Sequence, residues 1–142
     1  MLDSLYQLIK KNEKEGDFTY TRVTDDMLKK AEEALGLKIP QQFRWFLKTF
    51  GDGGIGMEVM GIALDGTMEF VDSTLEYRKY GLPNSLIIIE SCDEWFNCID
   101  TNNGEIVSWA IGETRGEVTG LYKDFETYLT EIIHDILENM DL

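Results

Sequence analysis

The sequence has few of the residues on which disulfide frameworks, metal centres and histidine catalysis depend. It holds two cysteines and one histidine in 142 residues. Two cysteines cannot build the framework of a small secreted protein, so we expect Cys92 and Cys98 to be buried thiols. If residues 92–95 form a tight turn, Cys98 lies opposite Ile89, which disfavours a bridge to Cys92. His134 falls on the polar face of a predicted helix, which argues against His-based triads and zinc sites.

Long hydrophobic runs and positive charge are also scarce. No run reaches the roughly 18 apolar residues of a membrane span, and residues 1–16 are typical of a short amphipathic helix and not of a signal peptide. Against 27 acidic residues there are only 13 Lys and Arg, a formal net charge of −14. This charge repels phosphate backbones and anionic lipid surfaces. We therefore expect a cytoplasmic protein that binds neither nucleic acid nor membranes.

The negative charge is concentrated in one part of the chain. Residues 1–50 hold nine basic and eight acidic side chains, whereas residues 51–142 hold four basic and 19 acidic ones. The two parts therefore sum to +1 and −15. No Lys or Arg occurs between Lys79 and Arg115. Such asymmetry favours an interaction surface, and an ordinary solvated acidic face is the alternative.

The first third of the chain is predicted to be helical. After a short first helix, Thr24 is a good N-cap for a second helix, and Gly36 is the expected stop. A third helix follows Pro40 and ends at Gly51, with Phe43, Phe46, Leu47 and Phe50 at core spacing. With 142 residues and 43% hydrophobic content, one domain over residues 1–142 is expected.

The remainder is predicted to form strands closed by a helix. Residues 57–64 are predicted to be a strand, and a helix with Phe70, Leu75 and Tyr77 in the core follows. The apolar run at 86–90 predicts a central strand, and Asn103-Gly104 predicts a hairpin. A long amphipathic helix follows Asp124. We expect an α+β domain: N-terminal helices, a central antiparallel sheet and a C-terminal amphipathic helix packed on it.

Two loops resemble ligand-binding motifs without matching them. The glycine-rich loop at 51–56 lies between a helix and a predicted strand, the reverse of the order in phosphate-binding loops, so we interpret it as a helix cap and turn. The loop at 100–105 lacks the glycine position and the bidentate glutamate of a calcium loop, so we interpret it as a hairpin turn. The sequence predicts no catalytic residue, no metal and no cofactor. A hydrolase that uses carboxylates remains an alternative without a motif.

The segment ALGLKIPQQFRWFLKTFGDGG, residues 34–54, resembles the SUKH superfamily. That group includes bacterial immunity proteins of polymorphic toxin systems and Smi/Knr-type regulators of fungal cell-wall synthesis. The apolar strand, an aromatic-rich strand ending at Ile99-Asp100, a strand carrying Trp109 and a closing helix follow in family order, over residues 24–140. The matching positions are Leu35-Gly36, Ile39-Pro40, Phe43, Phe46-Leu47 and Gly51 to Gly54.

The resemblance implies an α+β binding module and not an enzyme. Its commonest implied role is neutralising a cognate toxin, often a nuclease. A nuclease has a cationic cleft for phosphates, and carboxylates opposite that cleft would mimic the charge of the substrate and accelerate encounter. A non-toxin regulatory or scaffold module of the same superfamily is the alternative. The pattern does not determine an oligomeric state.

Two acidic regions are candidates for the partner-binding surface, chosen from charge and loop placement. An ordinary solvated surface is the alternative for each region and is the commoner case for any single residue, and tryptophans such as Trp95 and Trp109 are more often core than interface. The first region consists of Asp93, Glu94, Trp95, Asp100 and Glu105. The second consists of Glu69, Asp72 and Glu76.

Overall fold

The computed structural model describes residues 2–112 and 118–140 of the chain. Within these residues helices precede and follow a four-stranded sheet, which confirms the predicted α+β class. The helices are α1 (Asp3–Asn12), α2 (Asp25–Leu35), α3 (Gln41–Phe50), α4 (Glu69–Arg78) and α5 (Phe125–Met140). The strands are β1 (Leu86–Ser91), β2 (Phe96–Asp100), β3 (Ile106–Trp109) and β4 (Thr119–Tyr122).

The ends of α2 are determined by local sequence. Thr24 Oγ1 accepts a hydrogen bond from the backbone N–H of Met27 at 3.2 Å, which satisfies one of the free donors of the first turn. Gly36 follows the helix with φ of 68°, the left-handed conformation that glycine adopts without a steric penalty. The predicted N-cap and stop are both confirmed.

An aromatic core is built around α3. Phe43, Phe46 and Phe50 are fully buried on one face of this helix. The ring centroid of Phe46 lies 5.5 Å from that of Phe125 on α5, and Phe50 lies 4.8 Å from Phe18. Through these contacts α3 packs against α5 and against the segment between α1 and α2. Burying one such side chain contributes about 1.5–3 kcal/mol.

The sheet is an antiparallel meander in the order β1-β2-β3-β4. Residues directly opposite each other on paired strands share a face. Phe96 and Trp109 pair on one face, where Tyr77 of α4 lies 4.4 Å from the Phe96 ring. Asn97 and Ser108 pair on the other face, towards α5. Helices on both faces explain why the apolar run of β1 is fully buried.

The outer edge of β1 has its hydrogen bonds supplied by a helix and a loop. The backbone N–H of Ile88 donates to Thr74 Oγ1 on α4 at 2.9 Å, and this hydroxyl donates to the carbonyl of Phe70 at 2.6 Å. The N–H of Met60 donates to the carbonyl of Ile89 at 2.7 Å. These bonds satisfy backbone groups that an edge strand otherwise leaves unpaired.

The predicted strand at residues 57–64 is wrong. Its N–H groups reach different partners: Val59 donates to Gly53, Met60 to Ile89 and Ile62 to Gly51. Because these partners are divided between residues 51–53 and β1, the segment forms isolated bridges and no continuous ladder with one strand. The same loop explains Gly53, where an added Cβ would lie 2.0 Å from the carbonyl oxygen of Asp17. The prediction that residues 51–56 form a cap and turn is confirmed, with Gly51 as the C-cap of α3.

Two smaller expectations are corrected. Leu75 is 37% exposed, because Phe70, Val71 and Thr74 form the buried face of α4. Cys98 lies opposite Ile88 and not Ile89, because the register shifts between Ile88 and Glu90.

The hairpin at Asn103-Gly104 and the cap at Asp124 are confirmed. The N–H of Gly104 donates to the carbonyl of Asp100 at 2.7 Å, and Asp124 Oδ1 accepts from the N–H of Thr127 at 2.8 Å. His134 is exposed, as its predicted place on the polar face requires. Met140, predicted to continue the buried stripe of α5, is exposed. Across residues 2–112 and 118–140, no helix has the length and apolar character needed to cross a membrane.

Candidate partner-binding surface

The first predicted acidic region is divided between the two ends of β2. Asp93, Glu94 and Trp95 lie in the connection between β1 and β2, whereas Asp100 and Glu105 flank the turn between β2 and β3. The five residues of β2 separate the two groups by about 17 Å. The structure therefore brings Asp93, Glu94 and Trp95 together at one end and places the other two residues elsewhere.

At the end of β2 that leads into β3, the polar groups form hydrogen bonds within the turn. Asp100 Oδ1 accepts from the backbone N–H of Asn102 at 2.9 Å, an Asx-turn contact. The N–H of Glu105 donates to Asn103 Oδ1 at 2.9 Å, while the Glu105 side chain is exposed. Asp100 is half-buried and part of the hairpin, so its carboxylate serves local structure.

The second acidic region lies along α4. Glu69, Asp72 and Glu76 are all exposed. Burial, with the nearby carboxylates of Glu58, Asp52 and Asp72, raises the pKa of Glu69 above its usual value. Glu76 Oε2 lies 3.6 Å from the Lys79 ammonium. This region is an acidic helix face. Its recess is a hollow of about 230 Å³ beside Glu58 and Glu69.

A groove of about 380 Å³ opens on the α5 side of the sheet, beside Trp95. We call it the sheet groove. Trp95 is 43% exposed, so its indole is an accessible wall and not a core residue, whereas Trp109 is buried. The groove combines residues of three strands, one turn and one helix. It is lined by Trp95, Asn97, Ser108, Leu121, Tyr122 and Ile132.

A chain of hydrogen bonds lies beneath the sheet groove. Trp95 Nε1 donates to Asn97 Oδ1 at 3.1 Å, and Asn97 Nδ2 donates to Glu90 Oε1 at 2.7 Å. The hydroxyl of Tyr128 donates to the same Glu90 oxygen at 2.6 Å. Within the described part of the chain, Glu90 Oε2 and the Ser108 hydroxyl have no hydrogen-bond partner. The network holds Trp95 and Asn97 in place and leaves acceptor capacity beside the groove.

Carboxylates lie near both phenols of the sheet groove region. Burial raises the pKa of the Tyr122 hydroxyl, and the carboxylates of Glu131, Asp135 and Glu90 raise it further. Glu131 and Asp135 are one turn apart on α5, on the side that also carries Tyr128. Burial and the Glu90 carboxylate likewise raise the pKa of Tyr128 well above its ordinary value. Both phenols therefore stay protonated at neutral pH.

The two cysteines lie near this site as unreactive thiols. Burial, with Glu90 and Asp93 nearby, raises the pKa of Cys92 to about 11. Burial raises the pKa of Cys98 to about 12. Neither thiol forms a disulfide. Since the thiolate is the reactive form, these cysteines supply no nucleophile at neutral pH.

Two other hollows have their polar groups satisfied internally. In the hollow beside α1, the Tyr20 hydroxyl donates to Glu13 and accepts from Lys10 at 3.0 Å. At the C-terminus of α2, Glu32 Oε2 accepts from Arg44 at 2.7 Å and from the N–H of Ile39 at 2.8 Å. In both hollows a cation contacts the carboxylate, whereas Glu90 accepts hydrogen bonds from the neutral groups of Asn97 and Tyr128. Across residues 2–112 and 118–140, no group of three or more His, Cys, Asp or Glu is placed to hold a metal ion.

Sequence reasoning found Trp95 but missed the rest of the sheet groove. Asn97, Ser108, Tyr122 and Ile132 come from four elements, and only the register of the sheet brings them together. One local signal was present, because Asn97 is a polar residue at a buried position between the apolar side chains of β2. A buried amide requires hydrogen-bond partners, and here they are Trp95 and Glu90.

Comparison with known proteins places this fold in a family. The chain is similar to a crystal structure of a protein from Pseudomonas syringae pv. tomato, with a TM-score of 0.70 and 21% sequence identity, covering 93% of this chain and 97% of that one. At this identity the likeness concerns the fold alone. The family model SUKH_5, described as SMI1-KNR4 cell-wall, matches residues 2–134. Since that match covers nearly the whole chain, the protein belongs to the SUKH family.

Proposed function

We propose that this protein is an immunity protein that binds and neutralises a cognate toxin, specifically a basic nuclease toxin. The observation that carries the proposal is unpaired negative charge. Among the described residues, three of the four ion pairs lie within the first fifty residues. The remainder of the chain holds 19 acidic residues, and among those that the structure describes only Glu76 forms an ion pair, with Lys79. Carboxylates without intramolecular partners are available to a cationic partner.

The family match supports a binding role and not catalysis. The sheet groove, with an aromatic wall and hydrogen-bond acceptors, is suited to binding. The Asp93–Trp95 turn lies beside the groove and adds two exposed carboxylates. An exposed tryptophan next to acidic side chains combines an apolar anchor with electrostatic steering, a pairing typical of tight interfaces.

Co-expression tests the proposal. The protein is produced together with the toxin domain encoded beside its gene, and growth is compared with cells that make the toxin alone. We expect rescued growth and a stoichiometric complex on gel filtration that dissociates as salt rises. Absence of both rescue and complex would contradict the proposal.

A regulatory module that binds a partner other than a toxin is the second candidate, favoured by the description of the matching family model as SMI1-KNR4 cell-wall. It predicts that the gene has no neighbouring toxin and that deletion changes cell-wall composition. The two candidates therefore differ in what deletion does: sensitivity to a specific toxin in one case, an altered wall without toxin in the other.

A further inference from the structure

The sheet groove has the chemistry of a receptor for one side chain. Its walls are the Trp95 indole, the Tyr122 phenol and the aliphatic groups of Leu121 and Ile132. The Ser108 hydroxyl lines the groove as an acceptor, and the Glu90 carboxylate lies next to it, hydrogen-bonded to the lining residue Asn97. A guest that matches both needs an apolar stem, a flat face and several hydrogen-bond donors.

Arginine fits this description better than any other side chain. Its guanidinium is planar, stacks on aromatic faces and carries five donors, while its stem packs on apolar surface. The lysine ammonium has three donors and no flat face. The carboxylates of Glu90, Glu131 and Asp135 around Tyr122 give the groove the charge that a cation requires.

We propose that the sheet groove binds an arginine side chain of the partner, with the guanidinium stacked on Trp95 and hydrogen-bonded to Glu90 Oε2. This inference rests on the proposed function, because it assigns the toxin residue that the immunity protein captures. The hydrogen bond from Trp95 Nε1 to Asn97 pre-orients the indole, and the bonds to Glu90 Oε1 leave Oε2 for the guest. Little ordering is then required on binding.

Peptide binding tests the site on the intact protein, without the toxin. The probes are a short capped peptide with one arginine between glycine and serine residues, the same peptide with citrulline, and the same peptide with lysine. Citrulline has nearly the shape of arginine and no charge. Binding is followed by the Trp95 indole N–H resonance, assigned with Trp95→Phe. We expect saturable binding of the arginine peptide with a dissociation constant on the order of 1 mM, and at least about tenfold weaker binding of the other two.

Substitutions locate the site. Glu90→Gln keeps an acceptor for Asn97 and Tyr128 but removes the charge, and it should weaken arginine binding by about tenfold. Trp95→Ala, which lacks the indole reporter and is followed by the backbone N–H resonance of Ser108, should weaken it by a similar factor. The matched control is Glu33→Gln, at an exposed position of α2, and it should bind like the wild type. Equal binding of all three peptides, or no saturable shift with the arginine peptide, would overturn the inference, and neither result depends on a variant that might not fold.

The two proposals can fail separately. If growth is rescued while the arginine peptide does not bind and Glu90→Gln neutralises the toxin as well as wild type, the arginine site is wrong and the immunity function stands. If the peptide binds in the groove while no neighbouring toxin is neutralised, the arginine site stands and the immunity function is wrong.

Discussion

Three basic side chains in the first fifty residues each lie against a carboxylate of the same segment, whereas among the described residues after position 50 only Glu76 is paired with a cation. In the first region Arg44 contacts Glu32, and Lys48 contacts Asp25. In the second, Glu90 forms hydrogen bonds only with neutral groups of the described chain. The difference indicates that the charges of the first region stabilise this molecule and that those of the second are available to another.

Two aromatic side chains, one from each region, show a second contrast. Phe46 is fully buried among Phe18, Phe43, Phe50 and Phe125. Trp95, in contrast, is an exposed groove wall held by one hydrogen bond. Phe46 therefore belongs to the core and Trp95 to the surface, and substitutions should separate them.

Truncation of these two aromatics should have the most unequal effects. We expect Phe46→Ala to lower the free energy of unfolding by about 3–5 kcal/mol, because it leaves a cavity in the aromatic core. Trp95→Ala should lower it by less than about 1 kcal/mol, because much of the side chain is already in water. Urea denaturation followed by circular dichroism measures both values. Equal losses would show that Trp95 belongs to the core.

The edge of β1 is the next most sensitive feature, since the second region depends on hydrogen bonds and not on ion pairs. Thr74→Val keeps the shape of the side chain but leaves the buried N–H of Ile88 without its acceptor. We expect a loss of about 1–3 kcal/mol. Thr130→Val, a half-buried threonine on α5, is the control. A change for Thr74→Val no larger than that of the control would contradict the role assigned to this hydroxyl.

Alkaline pH should destabilise the sheet through Cys98. The folded protein holds the Cys98 proton up to a pKa of about 12, whereas the thiol of an unfolded chain has its ordinary pKa of 9.0. Between these values the folded state binds more protons, so stability falls as pH rises. From pH 9 to pH 11 the loss from this thiol should be about 2–3 kcal/mol. Cys98→Ala should lose this contribution and keep the smaller one of Cys92, whose pKa is raised to about 11. Parallel curves for the two proteins would refute the assignment.

Loss of an ion pair in the first region should have the smallest effect. Arg44→Met keeps an apolar stem and removes the contact with Glu32. Because both side chains are partly solvated and Glu32 retains its bond from Ile39, we expect a loss of about 0.5–1 kcal/mol. The same denaturation experiment at high salt should shrink the difference further. A loss above that of Thr74→Val would reverse the ranking of the two regions.

Features determined by neighbouring residues were predictable from the sequence. Thr24 and Gly36 mark the ends of α2, and Asn103-Gly104 marks a hairpin, because each acts through backbone atoms within a few positions. The α5 stripe was likewise readable as far as Leu137, since 3.6-residue periodicity is a local property.

Features that depend on distant contacts were not predictable. Residues 57–64 have the apolar content of a strand, but their N–H groups donate to residues 51–53 on one side and to Ile89 of β1 on the other. The bulge after Ile88 shifts the register by one residue, so Cys98 lies opposite Ile88 and not Ile89. The sheet groove depends on that register and on the packing of α5, so charge and loop placement identified Trp95 alone. They also grouped Asp93 with Glu105, which β2 keeps apart.

The association rate of the complex with the toxin encoded beside the gene, measured at several ionic strengths, tests the central claim most directly. Three variants are compared. The double variant Asp93→Lys/Glu94→Lys reverses the charge beside the sheet groove, and Glu105→Lys reverses it at the other end of β2. The last, the double variant Glu15→Lys/Glu33→Lys, reverses two exposed carboxylates of the first region. We predict that the first variant associates about tenfold more slowly with a shallower salt dependence, while the last changes the rate less than about threefold. Equal rates for these two double variants would contradict the claim that the acidic sheet region is the partner-binding surface.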